Sequence, residues 1–296
     1  MRVLVSGASG LIGTELCTQL AAAGHTVARL VRREPRGADE FRWDPTALSL
    51  DENALEGIDA VINLSGASIA RLPWTKAYRR EILDSRVQAT RTLTDAMHRR
   101  TTPPATLLNA SAVGVYGDRP NEVLTDDSPA GTDFLAKVTT AWEAEAHRAP
   151  EPTRVVALRT GLVIARGGAL KPLLPIVKLG LGGPLGRGTQ HWPWISLHDE
   201  AAAIVHLLTS TLSGSVNLVG PTPATANDVI RAVAAGLHRP FLIPVPEFVL
   251  TLALQEAARA LLLADQRIVP DRLQEDGFVF AHRTAAESVH WMLSRP

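Results

Sequence analysis

The chain has 296 residues, with 46% hydrophobic and 20% charged side chains, enough apolar material for a large buried core. Thirty Lys and Arg offset thirty Asp and Glu, so no net field draws the chain onto nucleic acid or an acidic membrane surface. Cys17 is the only cysteine, which excludes an intrachain disulfide and argues against a thiolate metal cluster.

Arg2 to Val5 is a short apolar run closed by Ser6-Gly7, the pattern of a strand buried on both faces. It ends in a glycine turn and not a cleavage site, so no signal peptide is read there. Leu11 to Ala23 places Leu11, Ile12, Leu16 and Leu20 at helical spacing, with Gly24 where a C-terminal cap belongs. Thr26 to Val31 predicts a second strand, Phe41 to Trp43 a short third, and Ala60 to Leu64 another buried strand ending at Ser65-Gly66. Thr75 to Arg100 is polar on one side and apolar at Ile82, Val87, Leu93 and Met97, which predicts a surface helix. Strands at Leu107 to Ser111 and Val155 to Arg159 flank a helix from Phe134 to Arg148.

After Gly161 glycines punctuate a loop-rich region as far as Gly188; a helix from about His198 to Ser210 and a strand at Ser215 to Val219 follow. Leu250 to Leu263 predicts an apolar helix of a smaller domain, or a subunit contact. Gln255, Glu256 and Arg259 within Phe248 to Ala264 argue against a bilayer span. Strands alternating with helices imply an α/β fold with a parallel, doubly wound sheet. Residues 1–165 are expected to form its nucleotide-binding domain, with 195–220 returning to it; 166–194 and 221–296 are expected to form a smaller, mostly helical substrate or lid domain.

Gly7-Ala8-Ser9-Gly10-Leu11-Ile12-Gly13 lies between the first strand and the first helix. The first glycine allows a sharp turn, the second lets a pyrophosphate approach the main chain, and the third lets the helix pack closely on the strand. The helix start, with Ser9, Leu11 and Ile12, then offers unpaired N–H groups to the phosphates. An NAD protein usually carries Asp or Glu at the end of the second strand, for the ribose 2′-hydroxyl. This chain has Arg32 and Arg33 there, and Glu34 comes two residues late. A carboxylate would repel a 2′-phosphate and a guanidinium would clamp it, so NADP(H) is the expected cofactor, with Arg32 the first contact and Arg33 the second.

These segments, with Val61 to Ala67, Glu81 to Arg86, Trp142-Glu143, Gly180 to Gly186 and Gln266 to Pro270, give a sequence that resembles the extended short-chain dehydrogenase/reductases. It is most similar to their atypical NADP-binding epimerase family group, which carries a C-terminal domain of unknown function. The resemblance implies a Rossmann-type fold and further cofactor contacts at Leu64, Ser65, Gly66, Glu81, Arg86 and Leu162. That superfamily's usual proton transfer uses a Tyr-x-x-x-Lys pair with a nearby Ser or Thr. Neither Tyr78 nor Tyr116 has a lysine four residues on. Counting back from Glu143, the tyrosine position falls on Leu135 and the lysine position on Thr139; the usual serine position falls on Ala112. Ser111 and Tyr116 remain as candidate catalytic groups, and Lys137 is expected on a different helix face from Thr139.

Gln190-His191-Trp192-Pro193-Trp194 fits either a pocket wall or a cover over the domain junction; Trp74 could face the same cleft. His198-Asp199 fits a helix start, and no histidine spacing suits a metal site. The expected protein is a soluble, cytoplasmic NADP(H)-binding oxidoreductase acting on a small polar molecule, with no nucleic-acid or membrane partner and a possible homodimer. A non-catalytic NADP(H) sensor is the alternative, and a nucleotide-sugar epimerase a third reading resting on fold analogy.

Overall fold

A computed structural model describes residues 1–295 of the chain. Its first part runs β1 (Arg2–Ser6), α1 (Leu11–Ala22), β2 (Thr26–Val31), β3 (Glu40–Asp44), β4 (Ser49–Leu50), β5 (Ala60–Asn63), α2 (Lys76–His98) and β6 (Thr106–Ala112). A single 3-10 turn (Val113–Tyr116) leads to β7 (Val123–Leu124), α3 (Phe134–Ala146), β8 (Arg154–Thr160), β9 (Leu162–Ile164) and α4 (Leu173–Lys178). Then come β10 (His191–Trp192), β11 (Trp194–Ser196), α5 (Leu197–Thr209), β12 (Gly214–Leu218), β13 (Ala224–Thr225) and α6 (Ala226–Gly236). The chain ends with α7 (Glu247–Leu254), α8 (Glu256–Ala258), β14 (Arg267–Ile268), α9 (Asp271–Glu275) and α10 (Ala285–Ser294).

The main sheet has the order β12-β8-β6-β5-β1-β2-β3-β4. All its pairings are parallel except β3 with β4. The chain leaves β1 toward β2 and β3 and later returns to the other side of β1 with β5, so the strand order reverses between β1 and β5. In such a sheet that reversal opens a crevice at the strands' carboxyl ends. Alternation within β1 explains why its whole run is apolar: Val3 and Val5 enter a core with Leu16, Leu20, Ile204 and Leu207, whereas Leu4 enters the opposite one with Leu93, Met97 and Leu107. The Rossmann-type sheet is therefore packed on both faces.

Helix α2 departs from the surface helix that its pattern predicts. Thr90, Thr92 and Thr94 are all buried. Their hydroxyls donate to the carbonyls of Arg86, Gln88 and Arg91 at 2.8–3.2 Å, so hydroxyl residues that score as polar go inside without orphaned groups. The indole of Trp142 on α3 donates to the Thr90 hydroxyl at 3.0 Å, fixing the two helices together.

A further apolar cluster gathers Leu170, Leu174, Trp192, Trp194, Val229, Ile230, Val289 and Met292 from a second 3-10 turn (Gly168–Leu170), α4, α6, α10 and the strands between them. Leu273 and Phe280, from the same carboxyl-terminal stretch, belong to the core of the main sheet instead. The apolar helix expected over Leu250 to Leu263 is interrupted: Gln255 adopts φ +53° and separates α7 from α8 and a wide turn at Arg259–Leu263.

Candidate cofactor and substrate site

The glycine turn is closed too tightly for side chains. Gly7 holds φ +70°, and a Cβ there would lie 2.9 Å from the Leu64 carbonyl oxygen; a Cβ on Gly13 would lie 2.2 Å from the Gly7 carbonyl oxygen. The Gly10 amide donates to that same Gly7 oxygen at 2.9 Å. Helix α1 begins at Leu11 with no side-chain cap and no acidic residue in its first turn. Its leading N–H groups and the positive end of its dipole are thus left for an external anion. Ser9, Gly10 and Leu11 are exposed at this edge, with Ile12 half-buried behind them.

At the end of β2 the two arginines differ. Arg33 forms a two-pronged pair with Glu40 at 2.6 and 2.7 Å. Those bonds and the Arg36 amide hold Glu40 down at about 2. Arg32 is exposed and makes no ion pair among the described residues, and Glu34 pairs with Arg42. At the end of β5, the Ser65 hydroxyl donates to Ser6 at 3.0 Å and the Ser6 hydroxyl donates to Asn63 at 2.6 Å. Gly66 lies against the Arg86 guanidinium, which a Cβ would approach to 3.2 Å. Arg86 donates to the Ala67 and Ile82 carbonyls at 3.0 and 2.9 Å, and no carboxylate pairs with it among the described residues. Burial pulls it down to about 10. An under-compensated cation beside the crevice suits an anionic ligand. Glu81 stands exposed on α2, and Leu162 opens β9, its amide donating to Pro193 at 2.7 Å.

A cavity of about 610 Å³ lies at the same sheet edge, beyond β6 and against the start of α3. Gly114, Gly117, Asp118, Asp133 and Leu135 line one side; Arg187, Gln190, Glu247, Glu256 and Arg259 line the other. Its size suits a small ligand. The Gln190 amide is buried and donates to the Leu185 and Leu262 carbonyls at 3.0 and 2.9 Å, but its Oε1 has no partner among the described residues.

Residues 3–220 match the NAD dependent epimerase/dehydratase family. The chain belongs to that family. Residues 245–292 match a domain of unknown function, DUF1731. The epimerase family protein Mb2239 of Mycobacterium bovis is 40% identical over 99% of this chain and 98% of its own length. The human epimerase family protein SDR39U1, whose crystal structure was solved with NADPH, superposes with a TM-score of 0.92 at 33% identity, each chain covered completely. A nucleoside-diphosphate sugar epimerase from Corynebacterium glutamicum gives a TM-score of 0.81 at 31% identity, over 99% of this chain and 58% of that one.

In this epimerase-family chain the two hydroxyls expected as catalytic groups are engaged elsewhere. Ser111 is buried and donates to Glu143 Oε1 at 2.5 Å. Tyr116 is fully buried; its hydroxyl donates toward Asn217 Oδ1 at 2.6 Å and the Thr125 carbonyl at 3.0 Å, and accepts from Arg159 at 3.0 Å. Arg159 in turn makes a two-pronged pair with Glu143, both bonds at 2.9 Å. Burial pushes the Glu143 carboxyl up, but the Arg159 bonds and charge outweigh it and leave the group below its usual range. Burial raises Tyr116, against the pull of Arg159. Neither hydroxyl is placed to exchange a proton with a ligand in the cavity. Leu135, on which the count back from Glu143 places the superfamily's tyrosine, lines the cavity, and Thr139 is buried with its hydroxyl on the Leu135 carbonyl at 2.8 Å.

The tryptophans resolve in favour of a cover. Trp192 and Trp194 are buried, with indole N–H groups on the Leu262 and Thr222 carbonyls. His191 pairs with Asp265 at 2.9 Å, and Trp74 packs edge-on against Phe134. Asp199 accepts from the Ser196 hydroxyl and from the Ala281 and His282 amides, binding the carboxyl-terminal segment to α5.

Two features escaped sequence reasoning. Arg159 sits in an otherwise apolar strand run; a charge there demands a buried partner, and that demand was the available signal. Glu200 is fully buried on α5, accepts from the Thr160 hydroxyl at 2.7 Å, and leaves Oε2 without a partner. Burial pushes it up to about 8. In sequence it is indistinguishable from an ordinary acidic residue in a helix's first turn.

Proposed function

We propose that the chain is an NADP(H)-dependent oxidoreductase acting on a small polar substrate held in the cavity beside β6. The observation that carries this is the Gly7–Gly13 turn, where a Cβ would strike backbone at 2.2 Å, next to an Arg32 that has no ion-pair partner among the described residues. The turn and the start of α1 would hold the pyrophosphate, Arg32 the 2′-phosphate, and Leu64 to Gly66 with Arg86 the adjoining wall. The presence of NADPH in the human relative supports the same choice of nucleotide. When bound, the nicotinamide supplies or accepts hydride. The chain's own contribution is orientation and exclusion of water, since the proton-relay tyrosine is replaced by Leu135.

Titration of the purified chain with NADPH, NADP+ and NADH tests the cofactor assignment. Tight binding of the phosphorylated forms is expected, and no binding at high micromolar NADPH would overturn it. A second reading, a non-catalytic NADP(H)-responsive protein, is favoured by the burial of Ser111 and Tyr116. Incubation of C4-deuterated NADPH with a panel of carbonyl compounds and sugar nucleotides separates the two. Label in a product supports the oxidoreductase; firm cofactor binding with no label transferred to any member supports the second reading.

A further inference from the structure

Large apolar side chains stand exposed on segments next to the cavity but are not part of its lining. Leu179 (76% exposed), Leu242 (74%), Phe248 (72%) and Leu252 (82%) stand in solvent, and Leu181 and Ile243 are partly exposed as well. Two of the three contributing segments are joined directly: the Leu242 and Ile243 amides donate to the Gly182 carbonyl at 2.8 and 3.1 Å, and the Val245 amide donates to Pro184 at 2.8 Å; α7, with Phe248 and Leu252, follows at once in the chain. So many exposed large apolar side chains on neighbouring segments mark an interaction surface.

Its charge surroundings are one-sided. The sequence contains no Asp or Glu from Gly161 to Gln190, nor from Val229 to Pro246. Those stretches carry six cations, Arg166, Lys171, Lys178, Arg187, Arg231 and Arg239, all exposed and none paired with a carboxylate among the described residues. Lys178 adjoins Leu179, and Arg239 precedes Pro240, which packs against Gly180. The acids that bracket the α7 part of the patch, Glu247 and Glu256, are exposed but both belong to the cavity wall. The whole-chain balance of thirty cations and thirty anions conceals this local segregation.

We propose that this face docks on an anionic lipid bilayer surface, its leucines and Phe248 entering the headgroup boundary and Lys178, Lys171 and Arg239 meeting lipid phosphates. The charge pattern disfavours a second copy, because a two-fold contact would set the acid-free rim against itself. Gly180, Gly182 and Pro240, where two of the segments meet, carry no polar side chain; protein interfaces carry roughly one hydrogen bond per 100–200 Å². No helix among the described residues is long and apolar enough to cross a membrane, so the contact is peripheral.

The test is flotation of the full chain with vesicles of phosphatidylcholine alone or doped with phosphatidylglycerol. The chain is expected to float with the anionic vesicles, several-fold less with the neutral ones, and less as salt rises. Lys178→Gln with Arg239→Gln should lower anionic-vesicle binding by roughly tenfold or more. Phe248→Ser with Leu252→Ser should abolish it while NADPH binding and melting temperature stay unchanged. Equal partition into both vesicle types, or binding untouched by these substitutions, overturns the proposal. So does an absence of vesicle binding together with a reversible dimer, in sedimentation equilibrium, that Phe248→Ser dissolves.

Discussion

Replacing Tyr116 with phenylalanine deletes one oxygen from a buried network and so separates a structural hydroxyl from a catalytic one. Three groups lose a partner. Arg159 retains Glu143 and the Asp126 carbonyl at 2.8 Å, and the Thr125 carbonyl retains the Ser128 amide at 3.1 Å. Asn217 Oδ1 is left without its 2.6 Å donor. One buried acceptor orphaned costs about 1–3 kcal/mol. In a chain of this length that lowers the melting midpoint by roughly 2 °C for each kcal/mol. Glu143→Gln is the calibrating partner: it strips the counter-charge from buried Arg159 and should cost about 3–5 kcal/mol. Thermal and urea melts of both variants, with NADPH titrations alongside, read the comparison. The expected order is wild type, then Tyr116→Phe, then Glu143→Gln, with cofactor affinity of the tyrosine variant essentially unchanged. A Tyr116→Phe protein that melts like wild type yet loses cofactor-dependent turnover would refute the structural assignment and restore the hydroxyl to catalysis.

Gly13→Ala forces a Cβ to within 2.2 Å of the Gly7 carbonyl oxygen, so NADPH affinity should fall more than tenfold and stability by about 1–3 kcal/mol; retained affinity in a titration would place the pyrophosphate elsewhere. Arg32→Ala should weaken NADPH binding by roughly ten- to a hundredfold while leaving NADH binding alone. Arg33→Ala should do less, because Glu40 already holds that guanidinium; an unchanged NADPH-to-NADH ratio in the Arg32 variant would sink the assignment. Burial raises Glu200 from 4.5 to about 8, so between those values the folded chain keeps a proton that the unfolded chain releases. Its contribution is fully present below the unfolded value and is lost as pH rises, at up to about 1.4 kcal/mol per pH unit. Denaturant melts across the window should show that slope flattened in Glu200→Gln, and identical slopes would contradict it.

The parts of the fold readable in the sequence are those where one local rule decides. The apolar run of β1 is written by burial on both faces, and the glycine spacing of the turn by the lack of room for a Cβ. Helix α2 was misjudged because threonine hydroxyls bonded to the preceding turn lose their polarity as far as packing is concerned. The break at Gln255 was invisible because the flanking residues are all good helix formers, and only tertiary placement forces the positive φ. The misplacement of Ser111 and Tyr116 has the same origin. Both lie near strand ends where a catalytic group belongs, but their partners Glu143, Arg159 and Asn217 come from α3, β8 and β12, and no local pattern announces that meeting.

That network also bears on how the cavity works. Tyr116 and Ser111 lie at the end of β6 and just beyond it, and Gly114 and Gly117, in the same segment, line the cavity. The Gln266 side chain donates to the Val113 and Gly117 carbonyls at 3.1 and 2.8 Å. The cavity floor is therefore pinned from beneath by a charged, hydrogen-bonded core and from the side by an amide. A mobile proton relay needs a side chain that can approach the ligand and change protonation state at ordinary pH. Here burial raises the tyrosine, its hydroxyl is fixed among three neighbours, and Leu135, to which the resemblance assigns the relay position, has no group to titrate. What such a floor supplies is a fixed shape, which favours recognition and orientation over acid–base assistance. The loss of the Tyr-x-x-x-Lys pair thus need not leave a damaged site: the same strand ends support a rigid one, whose selectivity would depend on what Gln190 Oε1, Arg187 and Arg259 can pair with across the cavity.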